Sequence, residues 1–373
     1  MNTLIGRLRS ALPASLALAL LGCTELPYYS QAVSGQWQLL SLRYPLEEVI
    51  ADPVTPPALR QRLETARALR DFASTELALP ENGSYRSYAD LQRPYVVKNL
   101  FAAPELSLQP RQWCFPVLGC VSYRGYFDTL AAQQLADALR EGGDDVYLAN
   151  VPAYSTLGWF DDPLLNTFLN WPTGRLAELL FHELAHQRLY VANDSPFNES
   201  FATAVGGLGA RLWLERHGTS ADKEAYAAYM RQREDFMALV LAARDDLATL
   251  YESSQSDAVK REGKRRRLAD LQANYQILKR KWGDYPGYDH WFAQDLNNAK
   301  LAALNTYTYY VPAFETLFAQ QDRNFAAFYQ AAKAIGDLPP AARQARLQTL
   351  LSLAPLANKA QLIQHTGPQP RYP

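Results

Sequence analysis

The chain has 373 residues with 37 basic and 38 acidic side chains, and a net charge of −1 gives no electrostatic footprint for a nucleic-acid partner. Apolar residues make up 48% of it, enough for the core of one large domain or two intimate ones. No apolar stretch reaches 18 residues, which excludes an integral membrane protein built on spanning helices.

The first element reads as an export signal. Arg7 and Arg9 precede an apolar run, Ala11 to Leu21, too short to stay in a bilayer as a spanning helix, and the run ends in Leu20-Leu21-Gly22-Cys23. That ending resembles the lipobox of bacterial lipoproteins. The resemblance implies cleavage before Cys23, a lipid anchor on its thiol and, since Thr24 is not a retention-type Asp, a place at the outer membrane facing the periplasm. Loss of residues 1–22 removes Arg7 and Arg9, leaving 35 basic and 38 acidic side chains and a charge of −3. Of three cysteines, Cys114 and Cys120 then remain, and in an oxidising compartment a disulfide closing a small loop is expected.

From Gln31 to Thr75 the pattern is helical and amphipathic, broken at Pro45, Pro53, Pro56 and Pro57 into two or three helices. Between Gly83 and Val121 short aromatic and β-branched runs, punctuated by prolines, predict a small twisted sheet. Asp128 to Arg140 predicts a helix ending near Gly142-Gly143, and Asp145 to Asn150 a strand. The segment Pro152 to Pro163 has two readings. It is either an edge strand beside the site, paired with an extended substrate, or a structural loop in which Trp159 and Phe160 pack.

A helix opened by Pro172-Thr173-Gly174 and a second over Asn198 to Arg216 follow, then a long helical hairpin from Ser220 to Trp282 with a break near Ser253 to Ser256. Its cluster of Lys260, Arg261, Lys264, Arg265, Arg266 and Arg267, interleaved with acids, reads as a solvated face. His290 to Leu353 predicts three more helices. The expected organisation is a signal peptide (1–22), N-terminal helices with a small sheet and edge strand (23–171), site-bearing helices (172–217) and a helical C-terminal region (218–373), with 23–373 as one compact unit.

The chemistry lies in Phe181-His182-Glu183-Leu184-Ala185-His186. Two imidazoles at i and i+4 share one face of a helix and are close enough to share a metal, and Glu183 beside them can handle a proton. A hydrolytic zinc site wants three nitrogen or oxygen ligands and a fourth position open to water. Thirteen residues past His186, Glu199 is the preferred third ligand, at the start of a helix capped by Ser195 or Asn198; Asp194 and His217 are its rivals. Glu178, Asp194 or a backbone carbonyl would hold the outward histidine nitrogens.

His182-Glu183-Leu184-Ala185-His186-Gln187 followed by Phe197-Asn198-Glu199-Ser200-Phe201-Ala202 resembles the gluzincin metallopeptidases, thermolysin-like and above all aminopeptidase N-like. Trp113 to Phe127, Ala153 to Asp162 and Asn297 to Phe314 extend the similarity to a bacterial family of predicted aminopeptidases. The resemblance implies a zincin-like α+β fold, predominantly helical, in which Zn2+ on His182, His186 and Glu199 serves peptide hydrolysis with Glu183 as the base. It also places an oxyanion-stabilising phenol in Asn298 to Phe314: Tyr307 first, then Tyr310, with His290 behind.

Three departures stand out. Only twelve residues connect His186 to Glu199, the acid expected seven residues after Glu199 is Gly206, and no G-A-M-E-N-like segment is present to bind a substrate's amino terminus. The expected function is a zinc-dependent peptidase, an aminopeptidase by resemblance, acting on peptide substrates from a lipid anchor at Cys23 in the bacterial cell envelope. The alternatives are a non-catalytic envelope lipoprotein with a structural metal site that binds a protein partner, and a zinc amidase acting on peptidoglycan peptides.

Overall fold

The computed structural model describes residues 26–115, 119–153, 156, 158–304 and 309–354. The export signal, Cys23 and Tyr307 lie outside the described residues. Helix α1 covers residues 26–41. The two-residue β1 (Tyr44–Pro45) leads into α2 (Leu46–Ala51) and α3 (Pro57–Thr75). Pro57 opens α3 at a position where its missing N–H costs no hydrogen bond, and Leu63, Ala66, Leu69, Phe72 and Ala73 form its buried face.

The single sheet expected between Gly83 and Val121 is instead divided. β2 (Ser87–Ala89) lies between β1, antiparallel, and β8 (Leu164–Leu165), parallel. β3 (Val97–Pro104) is the centre of a second sheet, flanked antiparallel by β6 (Arg124–Tyr126) and β7 (Asp144–Val151). β4 (Trp113–Phe115) and β5 (Gly119–Val121) form a separate hairpin in which Cys114 and Cys120 are disulfide-bonded. Pro94 and left-handed Gln92 lie in the connection between β2 and β3, which belong to different sheets.

Both faces of β3 are covered. Leu100 and Ala102 pack with Ala132 and Ala136 of α4 (Thr129–Glu141), while Phe101 and Ala103 meet Ala299 and Ala303 of α11 (Asn298–Ala303). After the single turn α5 (Asn166–Leu169) come α6 (Thr173–Arg188) and α7 (Ser195–His217), which supply the centre of the main core. Phe197 and Phe201 are fully buried there, each contributing roughly 1.5–3 kcal/mol by leaving water. The two helices approach closely because α7 presents glycine: a Cβ on Gly206 would lie 2.6 Å from the Glu178 carbonyl oxygen, and one on Gly209 2.7 Å from Phe181. This accounts for the missing acid at position 206, since α6 leaves no room for a side chain there.

The hairpin of α8 (Ser220–Glu252) and α9 (Asp257–Lys281) has its own core of Phe236, Val240, Leu247, Leu250, Leu271 and Tyr275. Its basic cluster does more than face solvent. Lys264 reaches Asp145 (2.6 Å) and the Glu105 carbonyl (3.0 Å), and Arg261 pairs with the Glu105 carboxylate (2.8 Å), docking α9 on the ends of β3 and β7. The rest of the C-terminal region is shorter in its pieces than the three helices expected. It consists of α10 (Asp289–Ala293), α11, α12 (Val311–Gln320), α13 (Phe325–Gly336) and α14 (Pro340–Leu353), with Pro340 opening α14 and left-handed Asp322 and Arg323 separating α12 from α13. Among the described residues no helix is long and apolar enough to cross a membrane.

Candidate metal centre

Helix α6 carries His182, Glu183 and His186, and its register follows from the apolar positions Leu176, Leu180, Phe181 and Leu184 that point it into the core. Helix α7 starts at Asp194, whose side chain accepts the Phe197 amide (3.1 Å) and an ion pair from Arg343 (2.5 Å). Asn198 clamps the connector by bonding both the amide and the carbonyl of Val191, each at 2.7 Å. The cap is therefore one residue earlier than expected. Glu199 lies in the second turn of α7 rather than its first, and the trimmed connector still delivers it to the α6 face.

His182, His186 and Glu199 come together as a group able to hold a metal ion. The two Nε2 atoms are 3.2 Å apart, and the Glu199 carboxylate lies 3.5 Å from His182 Nε2 and 3.7 Å from His186 Nε2. Metal bonds of about 2.0–2.2 Å at tetrahedral angles place donor atoms about 3.3–3.6 Å apart. The three donors thus have the spacing such an ion requires. His186 Nδ1 is buried with no partner among the described residues, and His182 Nδ1 has Thr203 Oγ1 at 3.5 Å.

Burial disfavours charge on His186 and takes its pKa down to about 4, with the His182 charge adding to the effect, so this imidazole stays neutral and its lone pair is available to a ligand-hungry ion. For His182 burial acts the same way, but the Glu199 hydrogen bond and the charges of Glu183, Glu199 and Glu178 outweigh it and raise the value. Burial pushes Glu199 up, and hydrogen bonding to His182 with the two histidine charges outweighs it and brings it below its ordinary value. Glu183 is raised to about 7, chiefly by burial. The negative charges of Glu199 and Asp162 add to that shift, against His182, so this carboxyl group takes up or releases a proton near neutral pH.

The other candidates have structural duties. Glu178 accepts from Tyr226 (3.1 Å) and Arg233 (2.5 Å) rather than from a histidine ring, and Asp194 caps α7. His217 packs against Phe72 and Trp213 at the far end of α7. His290 is exposed on α10 beside Gln294. Tyr310 is buried, and its amide donates to Ser200 Oγ (3.1 Å), next to Glu199.

Sequence reading missed a buried polar support on the Glu183 side of α6. Arg70, fully buried, donates to the carbonyls of Pro80, Asn82 and Ser84, and the turn it shapes is fastened to α6 where Asn82 and Ser84 bond the Gln187 amide group (2.7 and 3.1 Å). Gln187 is one helical turn past Glu183. The turn delivers Tyr85 in a left-handed conformation (φ 61°), with its amide on the Asp162 carbonyl (2.6 Å) and its buried hydroxyl without a partner among the described residues. Burial raises the Tyr85 phenol well above its ordinary value, and the charges of Glu183 and Asp162 raise it further.

Asp162 is itself buried and accepts from the Thr156 amide (2.9 Å) and hydroxyl (3.0 Å). Gly158 lies beside Gln187 and Trp159 and Phe160 are exposed, so in the described part of Pro152 to Pro163 these aromatics do not pack and no strand forms. The strand that precedes this segment, β7, ends at Val151 and is one of the two edges of its sheet. Tyr123 is the other omission: burial raises its phenol, and the charges of both Glu199 and Glu183 reach it. Nothing in the sequence marks one tyrosine among 22.

Two imidazoles and one carboxylate converge as a group that could hold a metal ion, and a second buried carboxyl group lies next to His182 in the chain. The model of the family described as "Putative aminopeptidase" matches residues 27–347, and the chain belongs to that family. No curated protein and no solved structure matches the chain.

Proposed function

We propose that the protein is a zinc-dependent peptidase, an aminopeptidase in line with its family, of zincin-like fold and held by a lipid on Cys23 at the periplasmic side of the bacterial outer membrane. The observation that carries the reading is the convergence of His182, His186 and Glu199 at tetrahedral donor spacing with Glu183 buried beside them. A zinc ion on those donors supplies Lewis-acid polarisation of a carbonyl and an acidified water. Glu183 takes the proton from the attacking water at its carboxylate and returns it to the leaving amine; its raised pKa suits both transfers.

Neutral His186 and the Glu199 carboxylate contribute to the donor face, while the Arg70-built turn is fastened to α6 at Gln187, one helical turn past Glu183. A phenol is needed opposite to donate to the oxyanion. Tyr307 is the choice from resemblance; among the described residues Tyr123, whose phenol feels the charges of both Glu199 and Glu183, is a second candidate. A purely structural metal site needs no base beside it, which favours catalysis over the partner-binding alternative.

The test is to purify the processed chain, measure its metal, and compare it with Glu183→Gln on a mixed peptide library. Stoichiometric zinc in both with cleavage by the parent alone is expected. Full zinc occupancy with no cleavage by the parent would refute the peptidase reading, and internal cuts rather than loss of amino-terminal residues would refute the aminopeptidase part.

A further inference from the structure

Helix α1 has an unusual surface. From Leu26 to Leu42 the chain contains no charged residue, whereas an exposed helix of a globular protein ordinarily carries charge on its outer face. Its inner face is accounted for. Gln31 accepts the amides of Phe127 (2.8 Å) and Asp128 (3.2 Å), Gly35 lies where a Cβ would strike the Phe127 ring, Arg124 stacks on Tyr28, and Leu39 enters the main core. The opposite face is apolar and open. Leu26, Tyr29, Val33 and Trp37, at spacings of three, four and four, fall within roughly 80° of one another around the helix and are 63%, 41%, 70% and 74% exposed. A contiguous apolar stripe of this kind marks an interaction surface rather than scattered exposure.

The chain itself indicates what covers it. Leu26 begins three residues after Cys23, so an acylated Cys23 would keep the first turn of α1 at the lipid surface. The stripe suits that place: an uncharged helix with Ser30, Ser34, Gln38 and Ser41 along one border and an aromatic pair of Tyr and Trp matches the headgroup boundary, where amphipathic rings concentrate. We propose that α1 lies in the membrane interface with Leu26, Tyr29, Val33 and Trp37 immersed in lipid, so that the anchor becomes a fixed platform rather than a free tether. This rests on the reading of Cys23 as the lipid site. Because the inner face of α1 is bonded to the start of α4 and to the core, immersion fixes the orientation of the whole body against the membrane.

The experiment expresses the full-length chain in bacteria, purifies the processed protein in detergent and reconstitutes it into phosphatidylethanolamine and phosphatidylglycerol vesicles whose acyl chains are brominated near the headgroups. Tryptophan emission should be quenched by the brominated lipid, and Trp37→Phe should lose that quenching. Val33→Asp combined with Leu26→Asp, at exposed positions that leave the circular dichroism unchanged, should reduce the quenching of Trp37 in the same way. Equal quenching of parent and Trp37→Phe overturns the proposal. So does protection of Trp37 from aqueous iodide without vesicles in protein of a dimer's mass, which assigns the stripe to a second copy. Intact mass separates the two readings: acylated, vesicle-bound protein with no Trp37 quenching removes the platform and leaves the anchor, whereas unacylated protein with Trp37 still quenched removes the anchor and leaves the platform.

Discussion

Two buried carboxyl groups five residues apart on α6 have opposite fates. Glu178 is held by the Tyr226 hydroxyl and the Arg233 guanidinium, and burial that would disfavour the Arg233 charge is outweighed by the Glu178 charge. Glu183 has burial, Glu199 and Asp162 all pressing it towards the neutral form with His182 alone in opposition, and around it Tyr85 Oη and His186 Nδ1 are buried without partners among the described residues. A structural charge is satisfied, because a buried unpaired one is costly. On the proposed function, a cation on the three convergent donors would supply the positive charge that the Glu183 side lacks.

The largest expected effect breaks the comparison from the Glu183 side. Glu183→Gln should lower peptide cleavage by roughly 10²–10⁴-fold while leaving bound zinc and thermal stability as in the parent, measured as kcat/KM alongside metal content. Tyr123→Phe should lower kcat with metal retained if that phenol serves the oxyanion, by about 10²-fold or more; a change below threefold would return the role to Tyr307. From the Glu178 side the sign reverses. Arg233→Met strands a buried carboxylate and should destabilise the fold by about 3–5 kcal/mol by denaturant melting, with zinc binding by the folded fraction unchanged.

The two clusters also differ in how far the sequence discloses them. His182, Glu183 and His186 are legible because i, i+4 spacing on one helix is local information, and Glu199 because its surroundings resemble a known pattern. Glu178 carries no such signal: its partners are some fifty residues away on α8, and only the folded chain shows that it is spoken for. Tyr85 was hidden for the same reason, since the turn held by Arg70 meets α6 from about a hundred residues upstream, and Asp162 is tied to that turn through the Tyr85 amide. The strands β1, β2 and β8 are two or three residues long, too short for alternation to show, which is why one sheet was expected where three stand. On α9 the exposed Arg265 and Arg266 pair with Glu262 as a solvated face should, whereas Arg261 and Lys264 find Glu105 and Asp145 in the other half of the chain, which a local pattern does not disclose.

Asp162 lies between the two kinds of site, hydrogen-bonded by Thr156 yet still burdened by its burial. Burial lifts its carboxyl group from an ordinary 3.8 to about 6, against the Thr156 bonds. Between those values the folded chain holds a proton that the unfolded chain has released, so this residue makes stability fall as pH rises from about 4 to about 6. Asp162→Asn keeps an acceptor for the Thr156 amide and removes the titration. Unfolding free energies of parent and variant from denaturant melts should converge near pH 4 and separate in the variant's favour by about 3 kcal/mol above pH 6. A constant difference across that range would show that Asp162 is charged throughout.

The smallest effect is the most informative about how the clusters are joined, because Gly206 touches both. A Cβ there would lie 2.6 Å from the Glu178 carbonyl oxygen and 3.2 Å from the His182 Cβ. The near contact at Glu178 is backbone of the same helix that carries the histidines, so α6 and α7 must separate for Gly206→Ala to fit. Overpacking of this order costs about 1–3 kcal/mol, part of it regained through the helix propensity of alanine, for a net loss of about 1 kcal/mol. Separation also draws Glu199 from His182 and His186, whose donor spacings of 3.5 and 3.7 Å already sit at the upper end for a tetrahedral ion. Zinc affinity should therefore fall more steeply than stability, while the Glu178 pair, lying along α6 and α8, stays intact. If both fall together, the metal site has no geometry of its own and merely reports the integrity of the core.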